Sequence, residues 1–459
     1  MRRDNEFRYS RLANIIREQI MSGFIKPGEY LLSENELCKY YGISRTSVRK
    51  SLEQLQKEGL IVKKVGQGTI VSPDLVVPPS ERRTLHIVAI SPSYFADLCL
   101  GTIMEAFQQM YPHVDVKLLS FPSWNFWDSM RVSEELGKYP DLLIVTDRNF
   151  ADVEQPDAYL DLEEHLSDVL KGLYPRVTEP FRASGVQIAI PSTFSPVYLA
   201  YNPELFARFG VTEPVADWNK RDLIEAAERL TVDLDRDGII DLYGLSLSSY
   251  FSRWPVVALQ NGVKFDPATS RDDLVRTLEF FHDVIYRQRV ATLFQSWRAQ
   301  SNSNAFLREK AAMVMTTTIE MAGWRNDSMT FEAKIAPLPF GPLKSTLLVA
   351  NAYMIPKRCK EQELALAFLR LAYQPALQKK LAKETGFLSC QPAVTEAVWD
   401  EASLALLNIS RGQIEGGYFI HELFADVDKI EALDAEMDLF WAGLESAESL
   451  ADRILGYVR

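Results

Sequence analysis

The sequence predicts a multidomain chain: a small N-terminal α+β unit of three helices and a hairpin, followed by a much larger α/β unit. Three observations carry this. The chain has 459 residues, more than one hydrophobic core usually organises. The stretch 72–83 holds Pro73, Pro78 and Pro79 between two well-patterned regions, and prolines hold a tether extended and semi-rigid. Charge is also unevenly divided. Residues 1–75 hold 13 Lys and Arg against 9 Asp and Glu, a balance of +4, which leaves −16 for the rest of a chain whose net charge is −12. A basic module can dock on phosphates while an acidic body stays clear of them.

Within the first unit, Leu12, Ile15, Ile16 and Ile20 recur on one helical face, and Gly23 with Pro27 and Gly28 stops that helix. Ser33 and Glu36 have the capping-box spacing that opens a second helix, carrying Leu37, Tyr40 and Tyr41 and ended by Gly42. Only Ile43 intervenes before Ser44, an N-cap for a third helix with Val48, Leu52 and Leu55 at i, i+4 and i+7. Two helices joined so tightly make a helix-turn-helix. Arg45, Thr46, Arg49 and Lys50 fall off the apolar stripe and form a cationic surface suited to the major groove. Two short strands, residues 60–65 and 69–71, flank Gly66, Gln67 and Gly68 as a wing, with Lys63 and Lys64 available to phosphates.

This ordered set resembles the GntR-family winged helix over nearly the whole module: residues 25–28, 32–37, 42–49, Leu52, Leu55, 58–61 and 66–69. The resemblance implies base and phosphate contacts by Arg45, Thr46, Ser47 and Arg49, with Gly66, Gln67 and Gly68 at the minor groove; Ser33, Glu34, Ser44 and Lys50 complete the candidate DNA-binding residues. It also implies a homodimer on a palindromic operator.

The larger unit, residues 85–459 after a linker at 76–84, opens with apolar strand patterns at 85–90 and 142–145 separated by helical ones, which predicts α/β architecture with a parallel sheet. Pro140 with Asp141, Ile190 with Pro191 and Ser192, residues 199–206 with Gly210, residues 233–244, residues 311–315 and residues 388–392 resemble, in order and spacing, the family 1 extracellular solute-binding proteins. That resemblance implies two α/β lobes of the periplasmic-binding-protein kind closing on a solute. The family's late Gly-Gly is replaced by Ala350 and Asn351. A carbohydrate, mono- or oligosaccharide, is the implied ligand class. Sugars need aromatic faces and fixed polar groups, so the candidate ligand residues are Tyr94, Trp124, Asp147, Trp254, Trp324 and Asn351, each tryptophan having simple core packing as its alternative.

The loop at 233–241 sets Asp233, Asp235, Asp237 and Asp241 at positions 1, 3, 5 and 9 with Gly238 at 6, the spacing of a calcium loop, but position 12 is Gly244 rather than Glu. It is a weak metal candidate beside a solvated acidic turn, and no cofactor is expected. Four scattered cysteines without a CxxC pair argue against a disulfide framework or zinc site. The polar first residues and the lack of a long apolar run predict neither export signal nor membrane anchor, hence a cytoplasmic protein. No P-loop, HExxH or GxSxG motif is present, and no enzyme is expected. The function predicted is a DNA-binding transcription regulator, of repressor type, controlled by a sugar. Two alternatives stay open: a pyridoxal-phosphate aminotransferase-like domain, for which Lys344 offers only a poor Schiff-base context, and a binding protein serving transport.

Overall fold

The computed structural model describes residues 2–21, 25–41, 43–64, 68–75, 83–249, 252–294, 305–324, 329–424 and 427–458. It divides into two compact units, residues 1–87 with 101–118, and residues 88–100 with 119–459. Among the described residues no helix is long and apolar enough to cross a membrane.

The first unit opens with helices α1 (Arg2–Met21), α2 (Glu34–Tyr41) and α3 (Arg45–Lys57) and the antiparallel pair β1 (Ile61–Lys64) and β2 (Gly68–Val71). The predicted periodicity is what packs: Leu12, Ile16 and Ile20 of α1 meet Leu37, Val48, Leu52, Leu55, Ile61 and Val71 in one buried cluster. Ser33 and Glu36 close a reciprocal cap, the Glu36 amide donating to Ser33 Oγ at 3.3 Å and the Ser33 amide to Glu36 Oε2 at 2.8 Å. Arg17 holds Glu58 through two bonds of 2.8 and 2.6 Å, joining α1 to the end of α3. The sequence reading missed one pairing. Residues 29–31 lie along β2, with the Leu31 amide on Thr69 O at 2.8 Å and the Val71 amide on Glu29 O at 2.9 Å.

Strand β3 (Arg83–Ser91) begins inside the expected linker, whose residues 76–82 lie outside the described ones. Further strands follow in order: β4 (Val114–Pro122), β5 (Leu142–Thr146), β6 (Ala189–Pro196), β7 (Tyr198–Tyr201), β8 (Tyr243–Ser248), β9 (Ala291–Phe294), β10 (Ala311–Thr316), β11 (Lys334–Ala336), β12 (Thr346–Met354) and β13 (Leu388–Ser389).

In the second unit two sheets form two lobes. One runs β13-β6-β12-β5 and on to the Val88–Ser91 part of β3, and the other runs β9-β8-β10-β7-β11. The sheets are mixed, which corrects the expectation of a parallel one. β8, β9 and β10 are parallel, whereas β12 runs antiparallel to both β5 and β6, and β7 antiparallel to β10 and β11. The cause is that chain crosses between lobes as strand. β6 continues through Val197 into β7, and β11 returns toward β12, so the crossing strands oppose those wound within a lobe. β6 and β7 are buried along their whole lengths, as strands covered on both faces are.

Candidate nucleic-acid face and ligand cavity

Ser44 caps α3 by accepting the Ser47 amide, and α3 buries Val48, Leu52 and Leu55. Arg45, Thr46, Arg49 and Lys50 are exposed on the other side, with Lys63 and Lys64 exposed on β1. Ser47 departs from its expected role: it is 2 % exposed, and its Oγ lies 3.0 Å from Ser44 Oγ, so it supports the cap instead of facing a partner. Glu34, the first residue of α2, lies beside this face. Its carboxylate accepts Arg49 Nε at 2.8 Å and lies 3.8 Å from Lys63 Nζ, offsetting two cations on this face. Gly68 adopts φ +115°, a region that favours glycine, beside the Tyr30 ring. Gly66 and Gln67 lie outside the described residues.

The second unit holds a cavity of about 350 Å³ between the lobes, within the size range of small-molecule sites. One wall is Pro92, Ser93, Tyr94 and Phe95 after β3, with Thr146, Asp147 and Arg148 at the end of β5. The other is Ser252, Arg253, Thr317, Ile319 and Glu320, and the floor is Leu347 to Asn351 of β12. Thr146 caps the short helix α4 (Asp147–Ala151), which places Asp147 at its first position. The Asp147 carboxylate accepts the Ala350 amide at 2.9 Å, yet burial pushes its pKa up to about 7. Arg253, 5 % exposed, pairs with Glu320 at 2.7 Å, and Thr316 Oγ1 donates to the same carboxylate oxygen at 2.9 Å. A buried guanidinium needs such a partner, and the pair sets a donor and an acceptor side by side. Where β12 pairs with β6 the register shifts between Asn351 and Ala352, because β6 carries Ser192 as an extra residue between Pro191 and Thr193.

Tyr94, Asp147 and Asn351 thus meet in one cavity, and the three tryptophans do not join them. Trp254 is corrected to a core residue: it is 0 % exposed and packs edge-on against Phe265, leaving no face for a ligand. Trp324 is 6 % exposed and packs on Phe306 at the end of helix α5 (Thr318–Trp324). Its neighbour Gly323 is what serves the cavity. A Cβ there would lie 2.1 Å from Tyr94 Cε1, so the missing side chain is the seat for that ring. Trp124 is 79 % exposed on a single 3-10 turn and lines no part of the cavity, while Trp127 bonds Asn149 O at 2.9 Å. Sequence reading missed Arg148, Arg253 and Glu320. Arg148 had a signal in the Asp-Arg pair closing an apolar strand, whereas Arg253 and Glu320 are joined by folding alone.

Asp233, Asp235 and Asp237 converge, with carboxylate oxygens within 4.8 Å of one another. These oxygens accept amides of their own turn: Arg236 and Gly238 on Asp233, Asp237 on Asp235, Ile239 on Asp237, and Leu234 on Asp241. The twelfth position has no room for the bidentate glutamate of a calcium loop, because a Cβ on Gly244 would lie 2.3 Å from the Ala227 backbone.

Residues 8–71 match the bacterial regulatory proteins of the gntR family, and residues 102–405 match the bacterial extracellular solute-binding proteins. An arabinose metabolism transcriptional repressor of Geobacillus stearothermophilus is 30% identical over 129 residues, 28% of this chain and 34% of that protein. The chain therefore spans about a third of this curated relative. An ABC substrate-binding protein from Listeria monocytogenes, solved in complex with cycloalternan, superposes with a TM-score of 0.69 at 17% identity, covering 82% of this chain and 98% of that one. A maltose/maltodextrin-binding domain from Bdellovibrio bacteriovorus, bound to maltotriose, gives 0.66 at 18% identity with the same coverage. At such identities these structures establish the fold alone.

Asp147 makes a pH prediction. The unfolded carboxyl ionises near 3.8 and the folded one at about 7, so between those values the folded chain keeps a proton that the unfolded chain has lost. Stability linked to this group is complete below 3.8 and declines as pH rises to about 7. Asp147→Asn keeps an acceptor for the Ala350 amide and removes the titration. Melting curves of both proteins from about pH 4 to about pH 8 should show the wild type losing ground to the variant up to about pH 7 and a constant gap above. A gap independent of pH refutes the buried-carboxyl account.

Proposed function

The chain belongs to the bacterial extracellular solute-binding protein family and carries a GntR-family winged helix at its N-terminus, and we propose that it is a transcription regulator whose affinity for DNA is set by a carbohydrate. The observation that carries the reading is the union of two chemistries in one chain. Arg45, Thr46, Arg49 and Lys50 stand exposed on a capped helix beside Lys63 and Lys64 of the wing. The lobes of the other unit enclose a cavity with Asp147, Arg148, Arg253, Glu320 and Asn351 around an apolar wall.

The exposed α3 face suits major-groove contacts: Arg45 and Arg49 can each donate two bonds to a guanine edge, and the lysines neutralise phosphates. In the cavity the Arg253–Glu320 pair presents both hydrogen-bond senses to a vicinal diol, and Tyr94 supplies a ring for sugar C–H surfaces. The match over residues 102–405 favours this reading over the pyridoxal-phosphate alternative, and the winged helix favours regulation over delivery to a permease. The reading includes a homodimer on a palindromic site, a cytoplasmic location, repression as the mode, and no catalytic step. Ligand acts by binding one arrangement of the lobes better than another, and only that difference can alter DNA affinity. That the relative from Geobacillus is an arabinose metabolism repressor, and that the solved structures hold cycloalternan and maltotriose, selects the sugars to try first.

Thermal unfolding of the full chain with L-arabinose, maltotriose and cycloalternan tests the sensor. A ligand at about 100 times its Kd adds about 2.7 kcal/mol to the native state, so one of these should raise Tm by several degrees, and Arg253→Met should abolish the rise. No shift with any sugar removes carbohydrate as the ligand. The DNA face has its own test. Glu34→Gln should strengthen binding to duplex DNA a few-fold at low salt and less at high salt, since it frees Arg49 and Lys63 from a competing carboxylate. Weaker binding by this variant would mean that Glu34 itself contacts DNA.

A further inference from the structure

Three residues from three separate stretches of chain share one face of the wing. Val62 of β1 and Tyr30 stand opposite Ile70 from the two sides of β2, and directly opposite residues of an antiparallel pair point the same way. Ile61 and Val71, one step along, point the other way and join the buried cluster of the first unit. The face with Tyr30 is therefore the outer one. Ile70 at its centre is 1 % exposed, whereas Tyr30 is 56 % exposed and Val62 41 %.

Single exposed apolar residues are ordinary; what sets Tyr30 apart is where its ring goes. Two positions nearer the turn, Lys64 pairs with Gly68, so Lys64 joins Val62 on the outer face and Gly68 leaves that face bare beside it. A Cβ on Gly68 would lie 3.6 Å from Tyr30 Cδ1 and 3.9 Å from Cε1. The ring thus leans from its place beside Ile70 over Gly68, toward the turn of the hairpin. Its backbone is tied to the same strand, through the Leu31 amide on Thr69 O and the Val71 amide on Glu29 O, so Tyr30 goes wherever the wing goes. An aromatic face and a phenol hydroxyl are thereby set close to exposed Lys64, at the end of the hairpin that a winged helix lays against a minor groove.

We infer that Tyr30 is a DNA-contacting residue, which holds the backbone at the rim of the groove that the wing enters, its ring on a deoxyribose and its hydroxyl on a phosphate oxygen. A phenol ring offers an apolar face to sugar C–H surface and a polar tip to water or an anion, and tyrosine hydroxyls donate to phosphates without carrying charge. The inference rests on the winged helix binding DNA and adds a contact outside α3 and the wing turn. It has a physical signature. Each lysine or arginine that neutralises a phosphate releases a counterion and steepens the fall of affinity with salt. Tyr30 releases none, so the affinity it supplies persists as salt rises.

The test is the Kd of the full chain for a duplex that the wild type selects from a random library, measured over a range of salt concentrations for the wild type, Tyr30→Phe, Tyr30→Ala and Lys64→Ala. Tyr30→Phe keeps the ring and should weaken binding about threefold to tenfold. Tyr30→Ala removes ring and hydroxyl together and should weaken it by about tenfold or more. In both, the dependence of log Kd on log salt should keep the wild-type slope, whereas Lys64→Ala should make that slope shallower by about 0.9. A substitution that acted by loosening the winged helix would disturb the cationic contacts of α3 as well and so move the slope. Wild-type affinity in either tyrosine variant, or a loss accompanied by a changed slope, overturns the inference and leaves the DNA-binding reading standing. A wild type that selects no duplex removes that reading and the inference with it.

Discussion

The second unit depends on one constraint: the chain passes from lobe to lobe as unbroken, buried strand. Ala189–Pro196 pairs in one sheet and Tyr198–Tyr201 in the other, with only Val197 between them. A strand cannot change length or shed its ladder bonds cheaply, since each unpaired buried amide costs free energy. The lobes are therefore held at a fixed seam and free to differ only around it. The cavity lies between groups from the two lobes, and Ser195, on the crossing strand, bonds the amide that starts α5 beside it.

Charge follows the same logic of pairing under restraint. Arg253 is nearly withdrawn from solvent and is tolerable there because Glu320 meets it from the next element. Asp147 has no such direct partner among the described residues, and burial keeps its proton on to about pH 7 despite the Ala350 amide. The cavity thus holds groups poised to exchange hydrogen bonds with a guest. On the nucleic-acid face the opposite holds: Arg49 and Lys63 lie in water, where Glu34 tempers them without removing their charge.

How much of this the sequence revealed depended on the range of the cause. The caps at Ser33 and Ser44, the apolar stripe of α3 and the hairpin are local, and each was legible from residues a few positions apart. The strand ends at Tyr94 and Asp147 were legible because loops after parallel-type strands gather at a cleft. The tryptophans misled because a ring in an expected turn reads the same whether it faces solvent or core. Trp254 is followed by an entirely buried helix, and only the packed fold shows that its own ring joins that core. Ser47 misled because it serves the helix cap, a demand that competes with any outward role. The Arg253–Glu320 pair joins residues far apart in the chain, and no spacing rule reaches across them. Gly323 was legible as a glycine beside Trp324, but its use, a seat for Tyr94, is a property of contact.

The central claim is that a sugar held between the lobes changes the hold of the winged helix on DNA. The most direct measurement is to select duplexes from a random library with the full chain, and then to measure the Kd of the selected duplex with and without a saturating sugar that stabilises the protein. The account predicts a change of about tenfold or more, within the usual span of coupling between two sites, that disappears in Arg253→Met. An unchanged Kd in the presence of a sugar that demonstrably binds would contradict it, separating the two halves of the chain into a DNA-binding module and a binding protein that do not communicate.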